Sequence, residues 1–235
     1  MSFKNIRRRV KKRIKAFLAL KKLKNAVKSK AFNPHKCQMA LFTPVPPMKT
    51  GTALYAFKVY RFLLDNLDFI SDFSSAEEYE TALAAFPDVY QSHLIPAKLV
   101  DTPYQTELLN LGNSYFHLPY LQRGIQTKGN NGRYILLCET QICGLLSSYC
   151  QEKGIDFRAF LKNYYPEKSE VIATVEDIWE PFCRYSIFGI RPLIDLTGIK
   201  HFIVYRKLGK EMFLSEPQAS LFEILKLPEH ISAVR

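Results

Sequence analysis

Five short apolar runs, at residues 38–43, 67–72, 107–111, 134–138 and 201–205, are separated by segments long enough to hold helices. Runs of four to eight apolar residues bounded by turn signals read as buried strands. Amphipathic segments at 53–64, 76–86, 116–127, 140–151, 156–163, 175–188 and 208–215 read as helices between or after them. Parallel strands need a crossover of helix length, whereas antiparallel strands need only a short turn. The alternation therefore predicts an α/β fold: a Rossmann-like, open, mainly parallel sheet with helices on both faces.

Charge divides the chain sharply. Residues 1–36 carry fourteen Lys or Arg and no acidic residue, while residues 37–235 hold 19 basic and 22 acidic groups and are close to neutral. The overall charge of +11 over 235 residues thus belongs to an N-terminal arm, not to a basic groove in the body. A nucleic-acid groove would have left its excess on the body.

Within the arm Phe3, Ile6, Val10, Ile14, Phe17, Leu20, Leu23 and Val27 recur at helical spacing and line one face. Arg7, Arg8, Arg9, Lys11, Lys12, Arg13 and Lys15 occupy the rest of its first half. A basic amphipathic helix of this kind suits an anionic membrane surface, with Phe17 and its neighbours at the acyl boundary and the cations among the headgroups. Packing of the stripe on the body, a targeting segment and a nucleic-acid arm are the other readings. Pro34 ends the helix, so residues 31–36 form a linker. The arm and linker at 1–36, a body at 37–215 and a helical or connecting tail at 216–235 make up the expected organisation. The apolar Leu221, Phe222, Leu225 and Leu227 of the tail point to oligomerisation or a partner.

Five cysteines, Cys37, Cys138, Cys143, Cys150 and Cys183, are odd in number and sit mostly beside large apolar residues, so reduced packing thiols are expected and not a disulfide framework. Cys138, Cys143 and Cys150 lack a paired C-x2-C and a nearby His, so no metal is expected. No apolar run approaches the roughly 20 residues that span a bilayer.

The first strand leads through prolines into Lys49-Thr50-Gly51-Thr52 and then a helix with a Thr cap. Free N–H groups in such a turn can hold an anion at the carboxyl edge of a sheet, although a single glycine also makes an ordinary tight turn. The other strand ends bring Gly112-Asn113-Ser114, Cys138-Glu139 and Tyr205-Arg206 to the same rim.

Four segments, in order, resemble a known family. Phe42-Thr-Pro-Val-Pro-Pro-Met-Lys-Thr-Gly-Thr-Ala-Leu-Tyr55 is similar to the strand-end motif SPLPPxxSGIADY of the retaining glycosyltransferases of family four, also called the group-one glycosyltransferases. Leu111-Gly-Asn-Ser-Tyr-Phe-His117 resembles their LGNSxxH. Tyr134-Ile-Leu-Leu-Cys-Glu-Thr-Gln-Ile-Cys-Gly-Leu-Leu146 and Lys200-His-Phe-Ile-Val-Tyr-Arg206 resemble two further strand segments. The resemblance covers residues 38–215, the N-terminal half of a GT-B enzyme, and implies a retaining transfer from a nucleotide sugar. It implies that Lys49, Thr50 and Gly51 face the cleft near acceptor and donor diphosphate, and that Asn113 and His117 border the acceptor pocket.

Cys138-Glu139 stands where the family commonly has His-Asp. Glu139 can still accept hydrogen bonds from sugar hydroxyls, but a thiol does not replace an imidazole. The resemblance implies no resident cofactor, only a nucleotide sugar as donor substrate. The chain ends about where the family's donor domain begins, so the expectation is an acceptor-side half. A separate donor-domain polypeptide or a homo-oligomer would complete it, a glycan would be its acceptor, and its place would be cytoplasmic, peripheral at the inner face of a membrane. The alternative is a non-catalytic, membrane-associated module that binds a glycan or a protein. A nucleic-acid binder, supported by the arm alone, comes third.

Overall fold

Strands read as near-continuous apolar runs where a parallel sheet is covered on both faces. Leu67–Ser71, Thr106–Leu111 and Arg133–Leu137 are buried strands of this kind, although the polar Asp68, Glu107 and Asn110 are buried among their apolar residues. The computed structural model describes residues 3–28, 37–48, 50–53, 66–85, 91, 93–129, 132–137, 139, 141–174, 185–204 and 220–224; for 3–10, 12, 13, 16, 28, 204 and 220–224 it describes the backbone alone. Seven strands run in the order β3-β2-β1-β4-β5-β6-β7. They are β1 (Met39–Phe42), β2 (Leu67–Ser71), β3 (Leu94–Pro96), β4 (Thr106–Leu111), β5 (Arg133–Leu137), β6 (His201–Val204) and β7 (Ser220–Ile224). The ladders β2–β3, β4–β5, β5–β6 and β6–β7 are parallel, which makes this an α/β, Rossmann-like open sheet.

Residues 1–40 and 44–104 form one compact unit. It holds α1 (Phe3–Lys28), β2, α2 (Ala76–Ala85) and β3. Ser75 Oγ accepts from Glu78 N–H at 3.2 Å while the Glu78 carboxylate accepts from Ser74 N–H at 2.7 Å, a reciprocal cap that starts α2. Tyr79 on α2 is buried and donates its hydroxyl to Leu94 O at 3.2 Å, fixing α2 to β3. The second half of α1 packs on α2, with Leu23 only 2% and Val27 1% exposed.

Residues 41–43 and 105–235 form the other unit. Between β4 and β5 lies α3 (Leu118–Gln126); α4 (Cys143–Lys153), α5 (Phe157–Tyr164), α6 (Ser169–Thr174) and α7 (Ile190–Thr197) precede β6. Asp156 caps α5 by accepting from Ala159 N–H at 2.7 Å. At the amino ends of β4 and β5, buried Glu107 pairs with Arg123 at 2.6 Å. Arg133, its register neighbour, donates to Gly124 O at 3.0 Å and Thr127 Oγ1 at 3.2 Å, satisfying groups at the end of α3. Gly132 turns into β5 with φ +70°, and a Cβ there would lie 2.2 Å from Gln105 O.

The five expected strands and the helices at 76–86, 116–127, 140–151 and 156–163 are present with shifts of a few residues at their ends. Three differences stand out. Residues 185–189 form a turn, with Ser186 at φ 58° and Gly189 at φ 84°, so no helix runs to 188; α7 begins after the glycine instead. Residues 220–224 of the tail are a strand, β7, and not a helix, because their backbone finds a ladder beside β6. The body expected at 37–215 divides between the two units. The expected linker at 31–36, the helix residues at 54–64 and 175–184, Cys138, Cys183, Tyr205, Arg206, Leu225, Leu227 and the helix at 208–215 lie outside the described residues.

Candidate functional site

The carboxyl end of β4 opens into a turn that brings Asn113, His117 and Glu139 together within the second unit. Gly112 follows the strand, and a short 3-10 turn at Tyr115–His117 leads into α3. Asn110, the last residue but one of β4, donates its side-chain amide to Thr43 Oγ1 at 2.8 Å and offers its backbone carbonyl to His117 Nδ1 at 2.9 Å. A carbonyl only accepts, so Nδ1 carries the proton and Nε2 presents a lone pair. His117 is 1% exposed, and burial pushes its pKa down to about 4, outweighing the opposing pull of the Asn110 carbonyl. At neutral pH the ring is an uncharged hydrogen-bond acceptor.

Gly112 makes the convergence possible. A Cβ there would lie 2.8 Å from His117 Nε2 and 3.3 Å from Glu139 Oε1, so imidazole and carboxylate both crowd the bare glycine backbone. Glu139 is exposed, yet partial burial of its carboxyl raises its pKa, and the Asn113 backbone N–H opposes this by donating to it. Asn113 is buried, and its side-chain oxygen accepts from Gly144 N–H at 2.6 Å, inside the first turn of α4. Tyr115 stands in the same turn at 61% exposure, its ring 4.1 Å from that of Phe116. Sequence reasoning did not single out Tyr115, because its exposure is visible only in the structure.

Thr50 and Gly51 belong to the other unit. Thr50 Oγ1 accepts from Ala53 N–H at 3.0 Å and so caps the helical turn at 51–53, two residues before the expected helix start. Gly51 is exposed, with open space around it. Lys49 lies outside the described residues.

The arm is helical, as its spacing predicts, but its apolar stripe is divided. Ile14, Phe17 and Leu18 are exposed, Phe17 at 67%, together with Lys11 and Lys15, whereas Leu23 and Val27 are buried. Of Arg7, Arg8, Arg9, Lys12 and Arg13 the helical backbone alone is described. Among the described residues no helix is long and apolar enough to cross a membrane.

One group of possible metal ligands, Cys37, Asp68 and His93, is buried in the first unit, with ligand atoms within 4.8 Å of one another. The other described thiols, Cys143 and Cys150, are buried packing groups; burial pushes Cys150 up to about 11, which leaves it a poor nucleophile. The chain matches no protein-family model, no curated protein and no solved structure.

Proposed function

We propose that the carboxyl end of β4 binds the sugar hydroxyls of a glycan acceptor, and that the chain is the acceptor-side half of a retaining, nucleotide-sugar-dependent glycosyltransferase working at a membrane surface. The observation that carries this reading is the close approach of both His117 Nε2 and Glu139 Oε1 to Gly112. A neutral imidazole lone pair and a carboxylate oxygen both accept hydrogen bonds, as sugar hydroxyls require. Tyr115 adds a flat apolar surface against which a pyranose ring can lie. The ordered resemblance to the family-four glycosyltransferases supplies the chemistry. The exposed Ile14, Phe17 and Leu18 on a basic helix supply a means of holding the protein at the cytoplasmic face of an anionic membrane.

Cys138-Glu139 in place of His-Asp favours a second reading, a glycan- or protein-binding module without transfer activity. Incubating the chain with nucleotide sugars on vesicles bearing glycolipid acceptors, with and without a donor-domain protein, separates the two. Sugar transfer supports the transferase. Acceptor binding without transfer or hydrolysis leaves the binding module, and absence of both contradicts the sugar-based reading.

A further inference from the structure

We infer that Cys37, Asp68 and His93 form a zinc site at the amino ends of the strands of the first unit. Cys37 stands just before β1, Asp68 is the second residue of β2, and His93 immediately precedes β3. Parallel pairing of Phe69 with Leu94 sets Asp68 beside His93, and the Phe69 N–H donates to His93 O at 2.8 Å. All three side chains are buried.

Two of the three separations match a tetrahedral centre, and all three ligand atoms lie within 4.8 Å of one another. Zinc bonds of ~2.3 Å to sulfur, ~2.05 Å to nitrogen and ~2.0 Å to oxygen place sulfur and nitrogen about 3.6 Å apart and nitrogen and oxygen about 3.3 Å apart at tetrahedral angles. Cys37 Sγ lies 3.6 Å from His93 Nδ1, and His93 Nδ1 lies 3.3 Å from Asp68 Oδ1. Thiol and carboxylate thus converge on the same ring nitrogen, which has one proton to offer, whereas a cation between them engages all three. The two carboxylate oxygens are divided in the manner of a ligating aspartate. Oδ2 accepts from Tyr104 hydroxyl at 3.0 Å and from Cys37 N–H at 3.3 Å, while Oδ1 is turned to the histidine.

Charge and softness select the ion. A thiolate and a carboxylate carry two negative charges, which a divalent ion cancels in a buried setting where an unbalanced charge is costly. One sulfur, one nitrogen and one oxygen suit zinc, and three protein ligands leave a fourth position for water or another ligand. Zinc here would fasten the residue that opens β1 to the starts of β2 and β3.

The untagged full-length chain, passed through gel filtration after exposure to zinc, should retain one zinc per chain by elemental analysis. Cobalt in its place should give tetrahedral visible bands and a thiolate-to-cobalt charge-transfer band. Cys37→Ser should abolish that band and Cys150→Ser should keep it. Tyr104→Phe, which preserves all three ligands, should weaken cobalt binding about 10–100-fold. Substoichiometric zinc with no sulfur–cobalt band in the folded wild type would overturn the site, as would an undiminished band in Cys37→Ser. The wild-type measurement decides the matter even where a variant fails to fold.

Discussion

The side-chain oxygen of Asn113 accepts a hydrogen bond at 2.6 Å from the backbone N–H of Gly144, the second residue of α4. The first N–H groups of a helix lack intrahelical partners, so this bond both satisfies one of them and ties α4 to the turn after β4. Asn113→Ala leaves that donor buried without its partner, at a cost of about 1–3 kcal/mol. Thermal denaturation should show a melting point lower by several degrees. An unchanged melting point would mean that α4 is held by its apolar contacts alone.

Gly132→Ala should destabilise the fold by at least ~2 kcal/mol, because the substitution meets both a left-handed backbone and a neighbouring carbonyl. The φ of +70° and the 2.2 Å approach of Gln105 O leave no room for adjustment by a side chain. Gly51, with open space around it, serves as the control, and Gly51→Ala should be close to neutral. Urea unfolding of the two variants compares them directly.

His117 makes stability depend on pH in a defined direction. Its pKa in the folded chain is about 4 against an ordinary 6.5, so the unfolded chain takes up the proton first. Its contribution is fully present above pH 6.5 and is lost as the pH falls from there toward 4, by about 3 kcal/mol in all. Denaturant titrations across this window should show the loss, and His117→Gln should flatten that part of the curve. A variant with the same pH dependence as wild type would place the titration elsewhere.

Vesicle binding by the arm should follow charge and exposed apolar area. Lys11→Glu and Lys15→Glu should each weaken cosedimentation with anionic vesicles by about fivefold or more, from roughly 1 kcal/mol per basic residue near the surface. Phe17→Ser should weaken it further, and added salt should reduce binding of the wild type. Equal binding to neutral and anionic vesicles would contradict the electrostatic account.

How much of this was legible in the sequence differs between elements. The strands at 67–72, 107–111 and 134–138 are visible because burial on both faces forces apolar runs. β3 is three residues long and ends in Pro96, too little for periodicity to detect. No helix reaches residue 188, because Ser186 and Gly189 take left-handed backbone, while α7 accepts Pro192 in its first turn, where no N–H is needed. His117 was singled out only by the resemblance of Leu111–His117 to LGNSxxH, and Asn113 by that resemblance and by its place after an expected strand. Cys37, Asp68 and His93 were not: separations of 31 and 25 residues carry no local pattern, and strand order alone brings them together.

Calorimetric titration of soluble glycans into the wild type and into Glu139→Gln and Tyr115→Ala tests the central claim most directly. Loss of a charge-assisted hydrogen bond costs about 1.5–3 kcal/mol, so Glu139→Gln should bind an accepted glycan about tenfold more weakly or worse, with its melting point unchanged. Tyr115→Ala should weaken binding in the same experiment. Failure of every glycan to bind the wild type, or equal binding by the variants, would contradict a sugar site at the end of β4.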